Sequence, residues 1–384
     1  MNSYRRPRRI LHVLDSMERG GIATWLMTVL RHIERDTFHL DFLVHTDEPC
    51  AYDEEARSLG ARVIPCPEYR NIVTYCRTFS RILKEYGPYD VLHGHCHRFS
   101  GVNLWLAKRA RIPVRIAHSH SDLRSVANEW GISRRAYLAF MDKALERYAT
   151  LGLAAGRLAA EDLFGPKWET HPKRRILFCG IDFSPFHETH ERHTIRAEMG
   201  LNPTDKIVAH VGRFTQPKNC PFVLEVFSHA LNRDSNLRLV FIGNGPLQGE
   251  IQEKVSALGL QGHVRFLGSR PDVPRILSAV DLFLFPSLYE GMGLAVIEAQ
   301  ASGLPCLISE NIPHEADIVL ELITRLPLSL TADRWAENVI SLLHADRPVT
   351  ADEALRTAEE SQFNIRHSLG ELELIYLGTD RNLG

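Results

Sequence analysis

Asp281-Leu282-Phe283-Leu284-Phe285-Pro286-Ser287-Leu288-Tyr289-Glu290-Gly291-Met292-Gly293-Leu294-Ala295-Val296-Ile297-Glu298-Ala299 reads as three successive pieces. Leu282–Phe285 is an unbroken apolar run, the mark of a strand covered on both faces, as strands of parallel sheets are. A turn follows, and from Leu294 the chain reads as a helix. Gly291 and Gly293 leave main-chain N–H groups accessible at the start of that helix, where the aligned peptide dipoles favour an anion such as a pyrophosphate. Glu290 precedes the helix and Glu298 lies about two turns within it. That spacing argues against a shared proton-transfer dyad, so one carboxylate should meet a transferred group and the other a separate hydroxyl-bearing part.

Working outward, the same strand–turn–helix unit recurs. Strands are predicted near Ile207–Val211, Leu237–Ile242, Val264–Leu267 and Pro305–Ile308. Helices alternate with them near Asn219–Asn232, Leu247–Leu258, Val273–Ala279, Ala332–His344 and Ala351–Ser361. An earlier series has strands near Ile10–Leu14, Leu40–Val44, Arg62–Pro65, Val91–His93, Val114–His118 and Leu151–Ala155. Its helices lie near Ile22–Ile33, Tyr52–Leu59, Ile72–Tyr86, Gly101–Ala110 and Ser133–Tyr148. Strands alternating with helices build parallel sheets. Two series imply an α/β protein of two doubly wound domains, with Gly165–Arg175 as the linker and a division near residue 170. Ligands of such sheets sit beyond the carboxyl ends of the strands, so a cleft between the domains is the expected site.

Composition excludes several classes. The chain has 384 residues, 45 Lys+Arg against 47 Asp+Glu and a formal charge of −2, which is not the balance of a general nucleic-acid binder. Seven cysteines, scattered without a CxxC pair, read as reduced thiols of a cytoplasmic protein. No apolar run approaches the ~18 residues of a membrane helix. The basic start, Tyr4-Arg5-Arg6-Pro7-Arg8-Arg9, is followed by too short an apolar segment for a signal peptide and reads as a solubilising tail ahead of the first strand.

Further candidates fall at strand ends. Gly20-Gly21 follows the first strand and opens a helix, but without a GxGxxG pattern it does not point to a nicotinamide cofactor. Gly212-Arg213 ends the first strand of the second series, and Lys218 lies five residues beyond Arg213. A planar guanidinium and a mobile ammonium on one loop can bracket a diphosphate. Gly243-Asn244-Gly245-Pro246 and Gly268-Ser269-Arg270 follow the next strands and would converge on the same place. Two histidine groups, His93-Gly94-His95 and His118-Ser119-His120, end strands of the first series. No carboxylate or cysteine in a ligand pattern accompanies them, so no metal site is expected. One histidine is expected to reach the cleft for hydrogen bonding or general-base work. The chain has no Asp-x-Asp sequence, so phosphate charge would fall to Arg213, Lys218 and helix N-termini.

Together these residues resemble the family 4 retaining glycosyltransferases, which have the GT-B fold of two facing Rossmann-like domains. Glu290 and Glu298, with seven residues between them, match that family's acidic signature. Met292 departs from it, since many members carry Phe there. The resemblance implies that Glu290 contacts the donor sugar and Glu298 the nucleotide ribose, with Arg213 and Lys218 on the diphosphate. Gly20 and Gly21 match its first-domain glycine loop. His118 or His120 falls where the family keeps a histidine near the sugar. The donor set implied is therefore Gly20, Gly21, Gly212, Arg213, Lys218, Asn244, Gly245, Arg270, Glu290, Gly291, Met292, Gly293, Leu294 and Glu298. Catalysis would involve Glu290, His118 or His120, Arg213 and Lys218, with no metal and no cofactor. The domains implied are 1–170 for the acceptor and 171–365 for the donor, the C-terminal helix 366–384 returning to the first.

The implied reaction is transfer of a sugar from a nucleotide diphosphate donor, with retention, to a glycan or lipid-linked glycan. The wording of Ala117–Ser121 and Glu298-Ala299-Gln300 resembles exopolysaccharide and capsule members. From Arg98 to Arg147 there are ten Lys+Arg and four Asp+Glu. This basic stretch is either a solvated surface or a peripheral contact with the inner membrane surface. A nucleotide-sugar 2-epimerase of similar architecture and a catalytically silent partner subunit are the competing readings. The first lacks its histidine–acid pattern here, and the second would have lost the acidic pair or the cations, all of which are present.

Overall fold

The computed structural model describes residues 6–122 and 132–379. The expectations for residues 1–5, for part of the basic stretch and for the last five residues of the terminal helix fall outside the described residues.

Residues up to Gly180, with Ile365 onward, form one compact unit, and Ile181–Asn364 form a second. The first contains β1 (Arg8–Leu14), α1 (Gly21–His32), β2 (Phe38–Val44), α2 (Asp53–Ser58), β3 (Val63–Pro65), α3 (Ile72–Tyr86) and β4 (Val91–Gly94). It continues through α4 (Ser100–Arg109), β5 (Val114–Ser119), α5 (Ile132–Tyr148), β6 (Leu151–Ala154), α6 (Arg157–Phe164) and β7 (Arg174–Ile176). Its sheet is parallel, in the order β3-β2-β1-β4-β5-β6-β7. Strand order reverses between β1 and β4, where Ile10 pairs with Val91 and His12 with His93.

The second unit holds α7 (Arg192–Glu198), β8 (Lys206–Val211), α8 (Cys220–Leu231), β9 (Leu237–Ile242), α9 (Gln248–Ala257), β10 (Val264–Phe266) and α10 (Val273–Leu277). Next come β11 (Leu282–Phe285), α11 (Leu294–Ala301), β12 (Cys306–Ser309), β13 (Ile323–Leu326), α12 (Ala332–His344) and α13 (Ala351–Glu360). Its parallel sheet runs β10-β9-β8-β11-β12-β13. Here the order reverses between β8 and β11, so the crevice that a doubly wound sheet offers a ligand opens where Val211 and Phe285 end. All four residues of Leu282–Phe285 are buried, as a strand covered on both faces requires. α8 and α12 pack on each other, Phe222 meeting the buried Trp335 edge-on at 5.6 Å, and share one core with Leu282 and Leu284, while α11 also lies against β11.

The final helix, α14 (Ile365–Leu377), packs on α1 and β1 of the first unit. It buries Leu372, Ile375 and Tyr376. The boundary between units lies after Gly180, some residues beyond the expected division. Gly165–Arg175 is not a free linker, because Gly152 pairs with Arg174 and the segment completes the first sheet through β7.

The basic start is also more than a tail. Arg6 forks onto Asp90 at 2.9 and 2.8 Å, and Arg9 reaches the fully buried Asp41 at 3.1 Å. Hydrogen bonds from His39, the Arg62 amide and the Tyr89 hydroxyl hold the Asp41 carboxyl below its ordinary range, against the opposing effect of burial. β1 therefore begins at Arg8, ahead of its apolar core.

Candidate active site

In the second unit, three loops at successive strand ends are stitched by backbone hydrogen bonds. Gly212 N–H donates to the Ile242 carbonyl at 2.9 Å, Phe214 N–H to Asn244 at 2.8 Å, and Gly243 N–H to Gly268 at 2.8 Å. This closeness dictates glycine. A Cβ on Gly245 would lie 2.5 Å from the Phe214 carbonyl oxygen, and one on Gly243 would lie 2.1 Å from that of Gly212. Only a residue without a side chain permits such backbone approach.

The loop after β8 then turns toward β11. A 3₁₀ turn over Gln216–Lys218 ends at Asn219, which adopts a left-handed conformation with φ 52° and donates its side-chain amide to the Pro286 carbonyl at 3.1 Å. Leu288 N–H returns a bond to Pro217 at 2.7 Å. Ser309 Oγ donates to the Ser287 carbonyl at 2.6 Å, and Asn311 to Leu288 at 2.8 Å. The loop that carries Glu290 is thus fastened from both neighbouring strands.

These ties bring Lys218 and Glu290 together. Lys218 Nζ donates to Glu290 Oε1 at 2.6 Å and lies 4.7 Å from the centre of the Phe285 ring. The side chains retain only 20% and 11% exposure. The pair is therefore largely desolvated, where charge-assisted bonds are strongest. Sequence reasoning assigned the two residues to different parts of a ligand and did not foresee their contact. Arg213 is exposed and has no side-chain partner among the described residues, leaving its guanidinium open to an anion. Arg270, by contrast, forks onto Asp272 at 2.8 and 2.7 Å; the structure does not bring it to the lysine–glutamate pair. Asn244 is exposed beside Gly245.

Gly293 caps α11 with φ +82°, a conformation that favours glycine. Met292 is buried, and Gly291 and Leu294 are half-buried. One turn into the helix stands Glu298, half-buried and with no side-chain hydrogen bond among the described residues. Burial without a compensating donor pushes its carboxyl up to about 7. An unpaired carboxylate on a helix that opens with a glycine is poised to accept hydroxyls.

In the first unit, α1 starts at Gly21 with Gly20 extended before it. The histidine groups form one network at the carboxyl end of the sheet. His95 Nδ1 and His120 Nε2 lie 2.8 Å apart, His12 Nδ1 and His95 Nε2 3.0 Å, and His93 Nε2 and His118 Nδ1 3.1 Å. Tyr376 of α14 touches His93 Nδ1 at 2.9 Å and His12 Nε2 at 3.5 Å. The rings of His118 and His120 are 4.0 Å apart, as their positions on one side of β5 imply. His12, His93 and His118 are fully buried; His120 is only half-buried. Desolvation lowers all five imidazoles, His12 and His120 to about 3, so they are neutral at physiological pH. His12 and Tyr376 escaped the sequence reading, being distant in the chain; the pairing of His12 with His93 across adjacent parallel strands is the signal that reveals the first.

The basic stretch divides. Arg98 is spent on Asp142 and Asp162, each at 2.9 Å, and Arg115 on the carbonyls of Ile112, Pro113 and Tyr148. Neither contributes to a basic face. Lys108, Arg109, Arg111, Lys143 and Arg147 are exposed, and on α5 so are Tyr137 and Phe140, the latter at 66%. No helix among the described residues is long and apolar enough to cross a membrane.

Known proteins resemble this chain along most of its length. A family model described as Glycosyl transferases group 1 matches residues 191–361, and one described as Glycosyl transferase 4-like domain matches residues 20–164. EpsF of Bacillus subtilis (strain 168), named as a glycosyltransferase, is 34% identical over 381 residues, covering 98% of this chain and 97% of EpsF. The capsular polysaccharide biosynthesis glycosyltransferase CapH of Staphylococcus aureus is 23% identical over 378 residues, covering 96% and 98%. The crystal structure of Anabaena HepE in complex with UDP and glucose superposes with a TM-score of 0.79 at 16% identity, covering 97% of this chain and 100% of that one. These neighbours carry the GT-B fold, which the two doubly wound units here share.

Proposed function

This chain belongs to the group 1 glycosyl transferases, and from that premise we propose that it moves a sugar, with retention of anomeric configuration, from a nucleotide diphosphate donor to a glycan or lipid-linked glycan in polysaccharide synthesis. The observation that carries the reading is the desolvated Lys218–Glu290 pair at 2.6 Å, set at the strand-order reversal, with Arg213 exposed on the loop that carries Lys218. A lysine and an arginine bracket the diphosphate; the carboxylate, already oriented by the lysine, accepts hydroxyls of the sugar. Glu298 accepts the ribose hydroxyls, and the start of α11 faces the phosphates. UDP with glucose in the HepE complex, and the polysaccharide role in the name of CapH, support the donor class and the pathway.

The chemistry follows from the placement of charge. The bond between the anomeric carbon and the diphosphate oxygen breaks, and its electron pair stays on that oxygen. The acceptor hydroxyl adds to the same face of the anomeric carbon, and its proton passes to the departing diphosphate. Arg213 and Lys218 stabilise the negative charge that builds on the leaving group, the electrostatic contribution that usually dominates. No hard divalent ion is required at the diphosphate in this scheme. The half-buried His120, rather than the sealed His118, is the histidine with access to a ligand of the first unit. The exposed Phe140 and Tyr137 with Lys143 and Arg147 suit a peripheral membrane contact, apolar rings entering the interface and cations meeting anionic headgroups.

The test is a thermal-shift screen of nucleoside diphosphates and their sugars without added Mg²⁺ or Mn²⁺, since a ligand selective for the folded state raises apparent stability. Stabilisation by one base and its sugar is expected. Failure of every nucleoside diphosphate to stabilise the protein would sink the reading. Conversion of a labelled donor to its epimer without any acceptor would replace transfer with epimerisation.

A further inference from the structure

The second unit carries its candidate active site at the carboxyl ends of its strands. At their amino ends lies a separate cavity of about 420 Å³, within the ~300–1,000 Å³ of small-molecule sites. Lys206 opens β8 there, Asp281 and Pro305 stand just before β11 and β12, and Leu322 just before β13. Arg192, at the start of α7, and Arg347, beyond the end of α12, supply two more cations. β8 runs from Lys206 to Val211, about 17 Å of strand, so the cavity is remote from the Lys218–Glu290 pair.

Its charges do not cancel locally. Asp281 accepts from Arg192 Nη2 at 2.7 Å, from Arg196 Nη2 at 3.0 and 2.9 Å, and from the Ile207 amide at 2.8 Å. A carboxylate offers about four lone-pair sites, so Asp281 is fully engaged. Arg192 makes these bonds, and those to the Ala279 and Val280 carbonyls, through Nη2 alone, which leaves the other edge of its guanidinium open. Arg347 has one long bond, from Nη1 to the Gly303 carbonyl at 3.4 Å. Lys206 Nζ has no hydrogen-bond or ion-pair partner among the described residues. Glu321 and Asp346 also line the cavity, but both are exposed, and neither reaches a cation within ion-pair distance among the described residues.

We propose that this cavity binds a phosphate-bearing small molecule, its phosphoryl oxygens met by Arg347, Lys206 and the open edge of Arg192. Guanidinium edges match phosphate oxygens in pairs, and lysine adds a mobile charge. Leu322 and Leu343, both buried, and Pro305 give the same cavity apolar surface for an organic portion. Partial burial, and after it the guanidiniums of Arg192 and Arg196, pull the Arg347 pKa below its ordinary value, with Asp281 opposing them. Like charge crowded into a cleft costs stability unless an anion meets it, and such perturbed groups collect at functional sites. The cavity uses none of the groups assigned to the donor, so it stands whether or not the transfer reading holds.

The experiment titrates three probes into the full-length protein by calorimetry: inorganic phosphate, inorganic pyrophosphate and D-glucose 6-phosphate. The Lys218→Ala variant, whose donor site is weakened, separates this cavity from that site. At least one probe should still bind Lys218→Ala protein at one site per chain. Adding Arg347→Ala or Lys206→Ala in that background should each weaken the binding by at least about 10-fold, the scale of one lost charge-assisted contact, and added salt should weaken it further. Circular dichroism of every variant checks the fold. Tighter binding of D-glucose 6-phosphate than of the inorganic anions assigns the cavity to organic phosphates; equal or weaker binding assigns it to the free anion. Absence of anion binding in folded Lys218→Ala protein, or affinity unchanged by Arg347→Ala or by Lys206→Ala, overturns the proposal. Should a double variant fail to fold, the single Arg347→Ala and Lys206→Ala proteins decide in its place, each compared with wild type.

Discussion

Replacing Glu298 with glutamine should move stability and ligand binding in opposite directions. The carboxyl is half-buried, without a side-chain donor among the described residues, and is raised from 4.5 to about 7. It therefore binds its proton more tightly in the fold than in the unfolded chain, by an amount that converts to about 3 kcal/mol as an upper value. The sign follows from that. Below 4.5 the group is protonated in both states and contributes nothing to the difference. As pH rises toward 7 the unfolded chain loses the proton first, and folding stability falls; above 7 the fold carries an unpaired, desolvated carboxylate. Glutamine carries no such charge. Wild type and Glu298→Gln should thus melt within about a degree of each other near pH 4.5, while near pH 8.5 the variant should melt higher by roughly 5 °C. The same variant should bind nucleoside diphosphate about 10-fold or more weakly, because a charged acceptor for hydroxyls has been lost. Differential scanning calorimetry at both pH values, with titration of UDP, provides the readout. A stability difference that does not change with pH, or a variant less stable than wild type at the higher pH, would refute the reasoning.

Other outcomes follow from the same geometry. Lys218→Ala and Glu290→Gln should each lower turnover by at least about 10-fold while the circular dichroism spectrum stays intact, since each removes one partner of a desolvated pair; near-native turnover of either would remove its role. Gly245→Ala should destabilise the second unit by about 1–3 kcal/mol, because its Cβ meets the Phe214 carbonyl at 2.5 Å. Gly249→Ala, at a position with nothing within 4 Å, should instead be neutral or stabilising by up to about 1 kcal/mol; urea denaturation separates the two. Asp281→Asn should cost about 2–4 kcal/mol, since that carboxylate holds both the Arg196 guanidinium, at 3.0 and 2.9 Å, and the Ile207 amide at the start of β8.

The long βα alternation was legible because parallel strands are covered on both faces and read as apolar runs; Leu282–Phe285 is the clearest. What escaped was short or polar. β7 is Arg174-Arg175-Ile176, an edge strand of three half-buried residues, and its place beside β6 is a tertiary decision. α6, Arg157–Phe164, is only eight residues long between Gly156 and Gly165, too short for its period to stand out. At the site, the glycines and the acidic spacing were readable because they serve local backbone needs. The Lys218–Glu290 contact and the engagement of Arg270 by Asp272 were not, since charge pairing depends on where loops from separate strands come to rest. Likewise Tyr376 joins the histidines only because α14 returns to β1.

Calorimetric titration of UDP into the full-length protein, without added divalent ion, tests the central claim most directly when wild type and Lys218→Ala are compared. The account predicts one site per chain in wild type and at least about 10-fold weaker binding in the variant. Equal affinity in the two proteins, or a strict requirement for Mg²⁺ or Mn²⁺, would contradict it.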